Sequence, residues 1–147
     1  MRRSTATLVV GIVFVLAVGA GSVSAKPPAI PLNPEQETGE VISNASGFFS
    51  YTISGSQLCY TLEVRDLTAA PVAAHIHPGA RNVAGPVAVP LATPPAATST
   101  VSACITATEG GALTPAELAA IAAEPREFYV NVHTPQYPGG EIRGQLK

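Results

Sequence analysis

Leu58-Cys59-Tyr60-Thr61-Leu62-Glu63-Val64 alternates apolar and polar side chains without a break. A period of two marks a β-strand with one buried face, because successive side chains leave the backbone on opposite sides. Leu58, Tyr60, Leu62 and Val64 share one face, and Cys59 lies on the other. The stretch Val101-Ser102-Ala103-Cys104-Ile105-Thr106 repeats the pattern, with Val101, Ala103 and Ile105 on the apolar side and Cys104 opposite. Two cysteines on matching faces meet if their strands are neighbours. With an even count of two, a Cys59–Cys104 disulfide is expected, and it would stabilise the fold by about 4 kcal/mol in the chain-entropy picture. A metal-thiolate pair or a reactive thiol are the alternatives.

Working outward, 48–53 is expected to pair with 58–64 through the turn Ser54-Gly55-Ser56-Gln57. Further strands are expected at 40–43, 72–77, 87–91, 100–107, 127–133 and 141–146. One segment breaks the period. Thr114-Pro115-Ala116-Glu117 is a capping box with proline at the first helical position, and Leu113 and Leu118 stand where a hydrophobic staple needs them. Leu118, Ile121 and Ala122 form the apolar stripe of a helix over 115–123, which Pro125 ends. The expected fold is all-β: an antiparallel β-sandwich or Greek-key barrel with one short helix.

The first residues carry an address. Arg2 and Arg3 precede an apolar run over 8–20, and Val23-Ser24-Ala25 supplies the small residues of a cleavage site. The run is interrupted by Gly11 and Gly19 and falls short of the about 20 residues that cross a bilayer. A signal peptide over 1–25 is therefore expected, then a proline-rich extended leader over 26–37 and a β domain over 38–147. No membrane span would remain after cleavage. Without Arg2 and Arg3, six basic residues face ten acidic ones, a net charge of −4. That charge disfavours nucleic acid as a partner. The protein is expected to be secreted, extracellular or in the cell envelope, where an unknown protein or surface is the partner.

Four ordered motifs carry a likeness. They are Ala74-His75-Ile76-His77-Pro78-Gly79, Gly85-Pro86-Val87, Tyr129-Val130-Asn131-Val132-His133-Thr134 and Pro138-Gly139-Gly140-Glu141-Ile142-Arg143-Gly144-Gln145-Leu146. In this order they resemble the CHRD (chordin-type) domain, in the form of an exported bacterial-type single-domain member. Val83-Ala84-Gly85 departs from the family's usual Asn before Gly, which leaves the turn there open. The resemblance implies an extracellular protein and hands over no single activity.

All three histidines of the chain fall inside these motifs. Residues two apart on a strand point the same way, so His75 and His77 share a face while Ile76 takes the other. His133 ends a strand whose apolar face is Phe128, Val130 and Val132, and so it stands with Tyr129 and Asn131. If the two strands are close, three neutral imidazoles converge, a donor set that suits copper first and zinc second. The competing structural role is hydrogen bonding at a strand end, with Asn131, Thr134 and Glu141 as partners. Glu141 and Arg143 alternate with apolar neighbours and are expected on one polar face as an ion pair.

The His-x-His strand is also similar to that of copper/zinc superoxide dismutases. A chain with three histidines cannot build their dinuclear centre; a single-copper site is open to it. The sequence shows no serine elbow, phosphate loop or free nucleophilic cysteine, and no catalytic set is complete. The leading reading is an extracellular binding or structural module, with no cofactor assigned. The alternative is a copper-binding protein or single-copper superoxide-dismutase-like enzyme using His75, His77 and His133. Asn44-Ala45-Ser46 fits a glycosylation sequon, which matters only in a eukaryotic secretory pathway.

Overall fold

The computed structural model describes residues 27–147, so the expected signal peptide over 1–25 lies outside the described residues. The strands, in chain order, are β1 (Ile30–Leu32), β2 (Ser46–Ser54), β3 (Gln57–Arg65), β4 (Ala73–Pro78), β5 (Val89–Pro90), β6 (Ser99–Thr106), β7 (Phe128–His133) and β8 (Ile142–Gln145). The helix α1 (Pro115–Ala123) lies between β6 and β7. They form two four-stranded sheets, β1-β2-β3-β6 and β5-β4-β7-β8, antiparallel throughout. The sandwich alternative is therefore the one observed.

The alternation at 58–64 does what its period requires. Leu58, Leu62 and Val64 have no solvent exposure, and they pack with Phe49 from β2 and Ile76, Val130, Val132 and Ile142 from the facing sheet. Cys59 and Cys104 lie directly opposite each other across β3 and β6, with Cα atoms 4.0 Å apart, and are joined. Among the described residues no cysteine is free. The bridge closes a loop 45 residues long, worth about 4 kcal/mol in the chain-entropy account. Reduction is thus expected to lower the melting temperature, and alkylation of unreduced protein to label nothing. Two labelled thiols would rule the bridge out.

Two assignments differ in kind from the sequence reading. The proline-rich stretch assigned to an unfolded leader supplies β1, which pairs with β2 through Ile30↔Phe49 and Leu32↔Gly47. Ile30 and Leu32 flank Pro31, so the period of two sends both into the core, 2% and 1% exposed. Pro31 lacks an N–H and is tolerated because β1 is an edge strand. Conversely, 40–43 forms no strand. Ile42 there is 80% exposed, and the Ser43 hydroxyl serves as a local acceptor for the Ala45 N–H. The proline-rich stretch also ties the two sheets together. Asn33 and Arg143 exchange backbone hydrogen bonds of 3.1 Å at the margin where β1 and β8 approach.

The helix forms where the capping box places it. The Thr114 hydroxyl accepts from the Glu117 N–H at 3.2 Å, and the Glu117 carboxylate accepts from the Thr114 N–H at 2.8 Å. Leu113, Leu118 and Ile121 are buried, whereas Ala122, expected in the apolar stripe, is exposed. None of the described helices is long and apolar enough to cross a membrane.

Candidate metal centre

β7 is buried on both faces. Phe128, Val130 and Val132 enter the core by their period, but Tyr129, Asn131 and His133 on the outer face are covered as well. With His77, Arg143 and Gln145 they make a polar layer beneath the segment over 79–87 and the turn over 136–140. A polar sheet face shielded from water is costly unless its groups are paired or used.

The register puts the three imidazoles together. β4 and β7 are neighbours, with Ala73 opposite His133, His75 opposite Asn131 and His77 opposite Tyr129. One ligand atom from each of His75, His77 and His133 lies within 4.8 Å of the others. His75 Nδ1 stands 3.1 Å from His133 Nε2. Two ligands at about 2.0–2.1 Å from a shared ion have that separation when they subtend about 100°.

Backbone carbonyls fix the tautomers. His77 Nδ1 donates to the carbonyls of Gly85 and Pro86, at 3.0 and 2.9 Å. His133 Nδ1 donates to the Pro138 carbonyl at 2.9 Å. A carbonyl only accepts, so each of these Nδ1 atoms carries a proton, and in the neutral ring it is Nε2 that offers the lone pair. His77 Nε2 is buried and has no partner among the described residues. His133 Nε2 accepts from His75 Nδ1, and a bound ion would take the place of that shared proton. Outer-shell carbonyls of this kind orient ligating histidines. Burial, with the charges of His133 and His77, lowers the His75 pKa. Burial also lowers that of His133, against the opposing Pro138 carbonyl. Both rings are therefore neutral near pH 7, the form that ligates.

The shell around the imidazoles explains two glycines. A Cβ at Gly85 would collide with the Pro78 carbonyl, so only glycine lets that backbone reach His77. Gly140 takes a φ of +126° and lies against the Glu37 carboxylate and the Asn131 amide. His77 stacks on Tyr129 with centroids 4.9 Å apart and planes 5° apart. The Arg143 guanidinium covers the other side of that phenol, 3.3 Å from its centroid. Arg143 also donates to the carbonyls of Val83 and Ala80 at 3.1 and 2.9 Å, which ties the covering segment down. Gly85 N–H donates to the Tyr129 hydroxyl at 3.1 Å.

Several expected roles change. Glu141 and Arg143 do not pair; among the described residues the ion pair is Arg65–Glu63. Glu141 turns to Ser43, Thr68 and Thr134, while Arg143 covers Tyr129. Nor do Asn131, Thr134 or Glu141 bond the imidazoles, whose partners are carbonyls and one another. One residue of the layer went unnoticed in the sequence. Glu37 reaches Gly140 and Asn131 from the stretch taken as leader, and burial pushes its pKa up to about 7 against the opposing charge of Arg143. Its only sequence signal is an acidic residue closing a proline-rich run, which points to nothing.

Fold and site together define an all-β sandwich domain with a covered polar sheet face centred on three imidazoles. The sequence model of the CHRD domain matches residues 29–146, and the chain belongs to the CHRD domain family. The match begins at the edge of β1, in agreement with that strand's place in the sheet. No curated relative and no solved structure matches the chain.

Proposed function

We propose that this CHRD domain is an exported binding module whose functional centre is the trihistidine face of the second sheet, and that the centre holds one copper ion. The observation carrying the reading is the convergence of His75, His77 and His133 with two Nδ1 atoms committed to carbonyls. Three imidazole donors favour copper over zinc by the general affinity order of divalent ions. Export is supported by the charged and apolar N-terminal pattern, and the Cys59–Cys104 bridge suits an oxidising compartment.

Calorimetry on metal-stripped protein tests the reading. One equivalent of Cu(II) is expected to bind at pH 7, with zinc weaker. The lowered pKa values of His75 and His133 keep both rings deprotonated below the usual imidazole value of about 6.5, so binding persists there and fails at more acid pH. Bound copper at a hundred times its Kd should stabilise the fold by about 2.7 kcal/mol. Affinity no better than millimolar for both ions, or equal binding by a protein with all three histidines replaced by Ala, overturns the proposal. The enzymatic alternative, superoxide-dismutase-like turnover on the same three residues, is decided by assaying the copper-loaded protein.

A further inference from the structure

Arg143 is a buried cation without a salt bridge among the described residues. It is 1% exposed, and its charge rests on the Tyr129 ring, with two backbone carbonyls as its hydrogen-bond acceptors. The same ring lies parallel to His77, so guanidinium, phenol and imidazole form three successive layers. Glu37 is the carboxylate whose charge reaches Arg143, from the chain segment above the sheet. Its Oε1 and the Asn131 Oδ1 are buried without partners. The groups facing the guanidinium are thus Tyr129 from β7 and Glu37 from the run between β1 and β2, with His77 of β4 beyond Tyr129.

We propose that Arg143, held on Tyr129, is a positioning residue that makes the trihistidine centre prefer Cu(I) over Cu(II). This rests on the metal reading above and adds the oxidation state to it. The stack fixes the plane of His77, whose Nε2 has no other partner. A fixed positive charge one ring away opposes a divalent ion more than a monovalent one, and burial keeps solvent from screening it. Glu37 opposes this bias when ionised, because it partly neutralises Arg143.

Competition titrations give the two affinities separately, with bicinchoninate for Cu(I) under reducing conditions and nitrilotriacetate for Cu(II). Arg143→Gln should lower the Cu(I):Cu(II) affinity ratio about tenfold, equivalent to a fall of about 59 mV in the one-electron potential. Arg143→Lys keeps the charge and should hold the ratio to within about threefold of wild type. Glu37→Gln should move the ratio the other way, by roughly threefold at pH 8, where the wild-type carboxyl is ionised. Opposite signs from two neighbours are not produced by a merely structural role. If Arg143→Gln fails to fold, the Glu37→Gln ratio decides. Copper binding by wild type with ratios in both variants within about twofold of it overturns this inference and leaves the metal centre standing. No binding by wild type in either oxidation state overturns both.

Discussion

Glu141→Ala is expected to destabilise the domain by about 3–5 kcal/mol, because it strips one acceptor from four buried or part-buried donors at once. Glu141 has no solvent exposure. It accepts from Ser43 Oγ at 2.7 Å, from Thr68 N–H at 2.9 Å and Oγ1 at 2.8 Å, and from Thr134 Oγ1 at 2.7 Å. Those donors belong to the run before β2, the link between β3 and β4, and the end of β7, so the carboxylate ties three separate chain segments. Urea unfolding should show a lower midpoint with an unchanged slope. An effect under about 1 kcal/mol would mean that water replaces the carboxylate without cost. Glu141→Gln keeps one acceptor oxygen and should lose less.

The same site fixes the acid side of the stability curve. Burial alone would raise the Glu141 pKa, but the four hydrogen bonds outweigh it and hold the group below its ordinary value. A depressed carboxylate contributes stability above its unfolded-state value of about 4.5, and that contribution is lost as pH falls through the folded value. Glu37 has the opposite sign. Raised to about 7, it contributes most below 4.5 and loses that contribution as pH rises through 7. Wild type should therefore lose stability toward both limits, and the Glu141→Ala protein should lose less of its own on acidification.

What the sequence disclosed followed from period and local chemistry. Strict alternation located β3 and β6 and placed Cys59 opposite Cys104, because side-chain direction on a strand is set by position alone. The capping box located α1 within the chain because its hydrogen bonds are local. β1 escaped because four prolines in nine residues argue against a ladder, and only an edge position beside β2 makes Pro31 acceptable. The segment over 40–43 looked like a strand because Val41 and Ile42 are β-formers, yet Ser43 is drawn to Glu141, nearly a hundred residues away. Long-range demands of this kind leave no local trace. His75 and His77 were assignable to one face from two-residue spacing, but their approach to His133 depends on β4 pairing with β7 across more than fifty residues. The covering of the polar face was equally hidden. Alternation in Tyr129-Val130-Asn131-Val132-His133 suggests an outer face open to water, and only the fold of 79–87 shows it closed.

His133→Ala is expected to lower copper affinity at least about a hundredfold, the largest loss of the three single replacements. Two-residue spacing assigns only His75 and His77 to one face, and His133 joins them through the register: β7 lies beside β4, and the His133 ring centroid is 5.0 Å from that of His75 and 6.2 Å from that of His77. His133 is also fixed before any ion arrives, through Nδ1 to the Pro138 carbonyl, so its lone pair needs no reordering. His77 is held in the same way by Gly85 and Pro86, and its loss should come close. His75 is the half-buried member with no carbonyl on its ring; its replacement leaves two oriented donors and an opening that water fills. The expected order of loss is therefore His133, then His77, then His75. Copper titration of each metal-free variant checks the order, and urea unfolding of the same samples separates lost ligation from lost folding. His133→Ala should cost the metal-free fold only about 1–2 kcal/mol, the hydrogen bond and burial it forgoes. If copper affinity survives His133→Ala while His75→Ala abolishes it, the ion sits outside the converging lone pairs and the centre described above is not the one that binds it.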